Sequence, residues 1–183
     1  AEFELIPERF VLVVDDNLIG TRRDHIARAK ELFRAMIDAD LDKRWFCQAT
    51  FNLADDAELL TLARRAGCIG VFVGFESIAA EGLIEVRKKY TLQKGRDFAE
   101  SVRRIQRHHI TVAGSFILGL DVDRKGVGHR IAETASRYGL DFLNVLYLTP
   151  LPGTRLWETM DAGNDLVATD FPEDWQLYTL NHP

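Results

Sequence analysis

The sequence predicts an α/β fold, a partial (β/α)6 barrel of the TIM type, in which about five parallel strands are flanked by helices. Three observations carry that expectation. Short apolar runs rich in valine and phenylalanine recur along the chain. Stretches with apolar residues three and four apart separate them, and each apolar run ends in a polar or acidic group. Strict alternation of this kind implies parallel strands joined by right-handed crossovers, which can build either an open doubly wound sheet or a barrel. The polar tips favour the barrel, whose active sites lie at the carboxyl ends of the strands.

The elements follow in order. Phe10 to Val14 is a continuous apolar run, too short for a helix and suited to a buried parallel strand. From Thr21 to Asp40 the apolar residues Ile26, Ala29, Phe33, Met36 and Ile37 fall on one helical stripe, with Thr21 and Asp24 spaced as a capping box. Trp45 to Thr50 reads as the second strand, and Ala57 to Ala66 as a helix opened by Asp55 and closed by Gly67. Ile69 to Phe75 is the third strand. A short helix near Glu81 to Lys88 follows, and then a longer one whose stripe runs through Phe98, Val102, Ile105 and His109. Ile110 to Leu118 gives the fourth strand, Gly126 to Tyr138 a helix stopped by Gly139, and Phe142 to Leu148 the fifth strand. Pro150, Pro152 and Gly153 then break the pattern, which makes residues 1–183 a single domain whose last ~25 residues are a C-terminal extension.

Composition limits the function classes. The chain has 183 residues, 46% of them apolar and 28% charged, enough for one globular core. The net charge of -5 is spread along amphipathic stretches, which argues against nucleic acid as the main partner. No run of apolar residues is long enough for a membrane span and no basic-then-apolar leader opens the chain, so neither a membrane span nor a signal peptide is expected, and the two lone cysteines fit a reducing cytoplasm best. Cys47 and Cys68 stand alone, 21 residues apart, and offer neither a disulfide framework nor a metal cluster. The first residue is Ala1, and the opening segment reads as the end of an earlier element.

The candidate site residues are the strand tips. Asp15, Asp16 and Asn17 follow the first strand, Gln48 and Thr50 the second, Glu76 and Ser77 the third, Asp121 and Asp123 the fourth, and Thr149 the fifth. Each has a plainer reading. Asp and Asn favour turns and helix lead-ins. Glu76 follows a buried strand, where an unpaired carboxylate costs several kcal/mol, so it is either functional or paired with an arginine such as Arg22 or Arg23. Gly114 and Gly119 bracket the fourth strand and mark close approach of a ligand or a bend. His108 and His109 lack partners at ligand spacing, and no metal site is expected.

Three stretches then carry a resemblance: Phe10 to Asn17, Trp45 to Thr50, and Gly67 to Ser77. With Gly114-Ser115-Phe116-Ile117-Leu118-Gly119-Leu120-Asp121 and Thr149-Pro150-Leu151-Pro152-Gly153-Thr154, they resemble, in the right order, the barrel of radical S-adenosylmethionine (SAM) proteins. The branch most similar has a cobalamin-binding domain before the barrel and includes magnesium-protoporphyrin monomethyl ester oxidative cyclases and cobalamin-dependent methyltransferases. The family holds a [4Fe-4S] cluster on a C-x3-C-x2-C triplet after its first strand, and no such triplet occurs here. The resemblance therefore implies strands two to six of a longer parent, with the first strand and the cysteine loop upstream. In that parent the implied activity is reductive cleavage of SAM, driving radical chemistry such as oxidative cyclisation or methylation of a tetrapyrrole or other substrate.

By the same resemblance Asp15 and Asp16 meet the methionine ammonium, and Glu76 with Gln48 lies near ribose and methionine. Ile117 and the backbone of Gly114 and Gly119 lie along the adenine. Asn17, Thr50, Ser77 and Asp121 complete the cofactor-binding set. The fragment alone is expected to be inactive and to expose a sheet edge that invites pairing with a second copy. Two other classes fit the residues by themselves: a metal- or carboxylate-dependent barrel hydrolase or lyase using Asp15, Asp16, Glu76 and Asp121, and a non-catalytic binding module. Trp157, Trp175 and Tyr178 near the end suggest the latter or simple packing.

Overall fold

A computed structural model describes residues 2–86, 96–166, 169–170 and 172–177. The elements run α1 (Glu2–Leu5), β1 (Phe10–Val13), α2 (Arg23–Asp38), β2 (Arg44–Ala49), a 3-10 turn (Phe51–Asp55), α3 (Ala57–Arg65) and β3 (Cys68–Glu76). They continue through α4 (Ala80–Glu85), α5 (Phe98–Arg107), β4 (Thr111–Leu118), α6 (Val127–Tyr138), β5 (Phe142–Tyr147), α7 (Arg155–Ala162) and a second 3-10 turn (Glu173–Leu177). All five strands are parallel and stand in the sheet in chain order. Every crossover therefore advances one strand in the same direction, and the sheet curls into a half-barrel flanked by helices.

One face of the sheet carries the core. Trp45, Cys47, Val71, Val73, Phe75 and Phe116 are buried there with Phe33 and Met36 of α2, Leu59 of α3, Val102 and Ile105 of α5 and Ile131 of α6. Phe75 stacks on Phe116 at 5.0 Å between ring centroids and on Tyr138 of α6 at 5.4 Å, with Phe98 of α5 tilted against it at 5.6 Å. The Trp45 indole donates to the Ala66 carbonyl at 2.8 Å, which satisfies its one buried donor. Because strand residues alternate, the opposite, inner face presents Leu12, Phe46, Phe72, Ser115 and Asn144. Among the described residues β1 has a strand partner on one side only, and Phe10 and Leu12 of that edge are 71% and 65% exposed.

Local chemistry sets the helix ends and corrects three expectations. The Thr21/Asp24 capping box does not form, because Asp24 accepts two hydrogen bonds from the Arg22 guanidinium at 3.1 and 2.7 Å and α2 starts without a side-chain cap. Asp56, not Asp55, caps α3 by accepting from the Leu59 amide at 2.9 Å, while Asp55 pairs with Arg96 at 2.6 Å. The α5 stripe ends at Ile105. The helix stops at Arg107, and His109 follows in the left-handed region at φ +57, exposed. Gly139 closes α6 at φ +73, a conformation glycine adopts without a side-chain clash. The part of the predicted short helix beyond Val86 lies outside the described residues.

Candidate functional site

Parallel order with a single direction brings the carboxyl ends of all five strands to one rim, which collects the predicted tips. After β1, Asp15 and Asp16 are exposed and Asn17 is half-buried. Asn17 Oδ1 accepts from the Gly20 amide at 3.0 Å, so the turn reading holds for this side chain, and its Nδ2 donates to Thr50 Oγ1 at 3.4 Å. Thr50 Oγ1 in turn donates to Asn52 Oδ1, and Asn52 Nδ2 donates to the Gly20 carbonyl at 2.7 Å. Asn17, Thr50 and Asn52 thus tie the loop after β1 to the loop after β2. Gln48 is half-buried on the inner face, level with Phe72.

The tip of β3 is irregular in a way that shapes the rim. The register slips between Gly74 and Glu76, and Glu76 takes φ +65, uncommon for a residue with a side chain. Its carboxylate is turned back over Gly74, where a β-carbon would collide with Oε1. Arg22 is engaged by Asp24. Ser77 Oγ accepts from the Ala79 amide at 3.1 Å and lies against Gly82, so it also leads into α4.

On β4, Ile117 is half-buried on the inner face and Gly119 turns the chain at φ +91. Asp123 accepts from the amides of Gly119 and Leu120 at 2.9 and 3.1 Å, which fixes that turn, while Asp121 is exposed and donates its own amide to Glu85. Gly114 lies lower on the strand, on the helix side. The space a side chain would take there is filled by Leu140 and by the Phe75 ring at 2.9 Å, so packing accounts for this glycine. Thr149 follows β5 and donates its hydroxyl to the Tyr147 carbonyl at 3.1 Å.

Sequence reasoning missed three residues. Asn52 completes the rim network. Ser115, buried at 5% exposure, accepts from Asn144 Nδ2 at 3.3 Å on the inner face, directly across from Gly74 in register. A cavity of about 270 Å³ opens between the loop after β1 and the flank of α2, lined by Asp15, Asn17, His25, Arg28 and Leu32 among others. Its walls include Asp15 and Asn17 but neither Gln48 nor Glu76, so it stands beside the rim and not within the half-barrel.

The thiols sit elsewhere. Cys47 and Cys68 are buried, and the hydrogen bond with Cys47 together with burial raises the Cys68 thiol well above the ordinary range. Two buried cysteines 21 residues apart do not fit a cluster that needs a compact triplet of thiolates. Among the described residues no group of three or more His, Cys, Asp or Glu is placed to hold a metal ion, and no helix is long and apolar enough to cross a membrane.

Comparison with known proteins agrees with the resemblance. No protein-family model matches the chain. An uncharacterized methyltransferase of Synechocystis is 32% identical over 90% of this chain, and the hopanoid C-2 methylase of Rhodopseudomonas palustris is 30% identical over 94%. The chain spans 30% and 32% of the length of these two relatives. In fold, it matches the radical SAM methyltransferase TsrM of Kitasatospora setae, solved with cobalamin and a [4Fe-4S] cluster, at a TM-score of 0.59 and 19% identity over 76% of this chain and 27% of that one. In sequence the chain is similar to these methyltransferases, and its one-directional parallel half-barrel has the fold of part of TsrM.

Proposed function

We propose that this chain forms the SAM-binding part of an enzyme whose full-length form methylates or oxidatively cyclises a small-molecule substrate. The observation that carries the reading is the Glu76 carboxylate, laid over Gly74 at the rim where the loops after β1 and β4 deliver Asp15, Asp16 and Asp121 and the end of β2 delivers Gln48. SAM is a sulfonium cation with an ammonium group, and carboxylates and amides are the groups that recognise such charges. Asp15 and Asp16 hold the ammonium. Glu76, Gln48 and Ser77 face the ribose and methionine. Ile117 and the backbone of Gly119 support the adenine, and Asn17 with Thr50 braces the rim.

Bound SAM supplies the radical chemistry for which the superfamily is named, acting beside a [4Fe-4S] cluster. The thiols of this chain do not fit that cluster, so its ligands, and any cobalamin, belong to other parts of the full-length protein. The role left to these residues is to bind and orient the cofactor and to keep water from it. Two thiols without a disulfide suit a reducing cytoplasm. No observation favours the metal-hydrolase alternative.

The test is a binding titration of SAM on cluster-reconstituted full-length protein. Asp16→Asn and Glu76→Gln are expected to weaken affinity by about tenfold each, as loss of a charge-assisted bond does. Unchanged affinity in both removes these residues from the cofactor site.

A further inference from the structure

We infer that Asn52 is a positioning residue for the amino-acid arm of the cofactor: it fixes the loop that presents Asp15 and Asp16 in place relative to Glu76. The inference rests on the cofactor reading above and adds to it what holds the two ends of that site in register.

The loop after β1 needs an outside anchor. Among the described residues the carboxylates of Asp15 and Asp16 have no side-chain partner, so their place is set by the backbone that carries them. That backbone is held from β2 and from the turn behind it. The Leu18 amide donates to the Gln48 carbonyl at 3.2 Å, and Ile19, 2% exposed, enters the core. Gly20 is then held at both of its polar atoms, its amide by Asn17 Oδ1 at 3.0 Å and its carbonyl by Asn52 Nδ2 at 2.7 Å. It stands at φ +70 with His25 in the space a β-carbon would take, so the position requires glycine. The other end of the Asn52 amide is also engaged: Oδ1 accepts from Thr50 Oγ1, which accepts from Asn17 Nδ2 at 3.4 Å. The bonds among Gly20, Asn17, Thr50 and Asn52 therefore close into a ring. A group that donates at one end and accepts at the other is needed to close it, and a side-chain amide is such a group.

The anchor itself is seated in the core. Asn52 lies in the 3-10 turn Phe51–Asp55, whose Phe51, Leu53 and Ala54 are buried. Arg96 clamps that turn from outside, donating to the Phe51 carbonyl at 3.3 Å and pairing with Asp55 at 2.6 Å. The Phe51 ring packs edge-to-face on Phe75 at 4.7 Å, and Phe75 is the residue before Glu76. One aromatic contact thus joins the base of Asn52 to the strand tip that carries Glu76. Close-packed side chains transmit position, so the ammonium end of the site and its ribose end are spaced through Asn52, Phe51 and Phe75.

The experiment uses cluster-reconstituted full-length protein and two thioether probes, S-adenosylhomocysteine and 5'-methylthioadenosine. Both contain adenine and ribose, and only the first has the amino-acid arm with its ammonium. Affinities are titrated for wild type, for Asn52→Ala, for the near-isosteric Asn52→Asp, which loses the donor to Gly20, and for the double variant Asp15→Asn/Asp16→Asn. Circular dichroism melts confirm folding. Each Asn52 variant is expected to weaken S-adenosylhomocysteine about tenfold, as the double variant does, and to leave methylthioadenosine within about twofold. Adding Asn52→Ala to the double variant should bring little further loss, because both remove the same contact. The inference is overturned if both Asn52 variants hold S-adenosylhomocysteine as wild type does while the double variant weakens it, a result that leaves the cofactor reading standing. It is also overturned if the Asn52 variants weaken both probes alike, which would make Asn52 a residue of the fold only. Unchanged S-adenosylhomocysteine affinity in the double variant would instead remove Asp15 and Asp16 from the cofactor site, and the role of Asn52 with them.

Discussion

The carboxylate of Glu76 folds back over the α-carbon of Gly74 on the same strand, made possible by a register slip and a left-handed backbone at Glu76. A side chain at position 74 would evict it. Gly74→Ala is therefore expected to reduce SAM affinity of the full-length protein about as much as Glu76→Gln does, roughly tenfold, by displacing the carboxylate without removing it. Full affinity in Gly74→Ala would show that the folded-back position is not the one that binds.

Two glycines of β4 and its turn make a contrast of physical causes. Gly114 has no room for a side chain, because Leu140 and Phe75 fill the space, whereas Gly119 has nothing nearer than Leu148 at 3.8 Å but sits at φ +91. Gly114→Val should cost about 1–3 kcal/mol through overpacking. Gly119→Ala should cost about 1 kcal/mol through backbone strain alone. Urea unfolding separates them, and a neutral Gly114→Val would contradict the packing account.

Lys30 of α2 holds Asp56 and Glu58 of α3 at 2.7 Å each, and Asp56 is also the α3 cap. Burial alone would raise the Asp56 carboxyl, but hydrogen bonds from Lys30 and the Leu59 amide outweigh it and hold the carboxyl below its usual range. A depressed carboxylate stabilises the fold above its unfolded pKa of about 3.9, and that contribution is lost as pH falls through the lower folded value. Asp56→Ala should cost about 1 kcal/mol at neutral pH. Asp56→Asn, which retains a capping oxygen, should flatten the acid limb of the melting temperature against pH. An unaltered acid limb would contradict the pairing.

Buried thiols make a further expectation. Cys47 and Cys68 should resist a thiol reagent such as dithionitrobenzoate in the native chain and react only on unfolding, the Cys68 thiol being raised by its neighbour Cys47 and by burial. The chain supplied with iron and sulfide should not release 5'-deoxyadenosine from SAM. Detection of that product by chromatography would show that a cluster site had been overlooked.

Much of the fold was legible because its signals are local. Valine-rich runs such as that ending at Val13 and stripes such as Ala29, Phe33 and Met36 depend on residues a few positions apart, and the five strands with α2, α3, α5 and α6 fell within a residue or two of their predicted ends, whereas α7, beyond Pro152, was not foreseen. Asp55 and Asp56 are adjacent acids before the same helix, so the sequence does not say which one caps it. The resemblance and the polar tips marked the rim, but not what the rim is made of. The pairing of Ser115 with Asn144 spans 29 residues and depends on the β4–β5 register, and the fold-back of Glu76 depends on a bulge that no motif announces.

Hydrogen–deuterium exchange of the cluster-reconstituted full-length protein, with and without SAM, tests the central reading most directly. The account predicts that added protection within this chain concentrates at the strand tips, residues 15–17, 48–50, 76–77 and 117–121. Protection at the opposite, amino ends of the strands, or confined to the cavity beside α2 around His25 and Arg28, would contradict it.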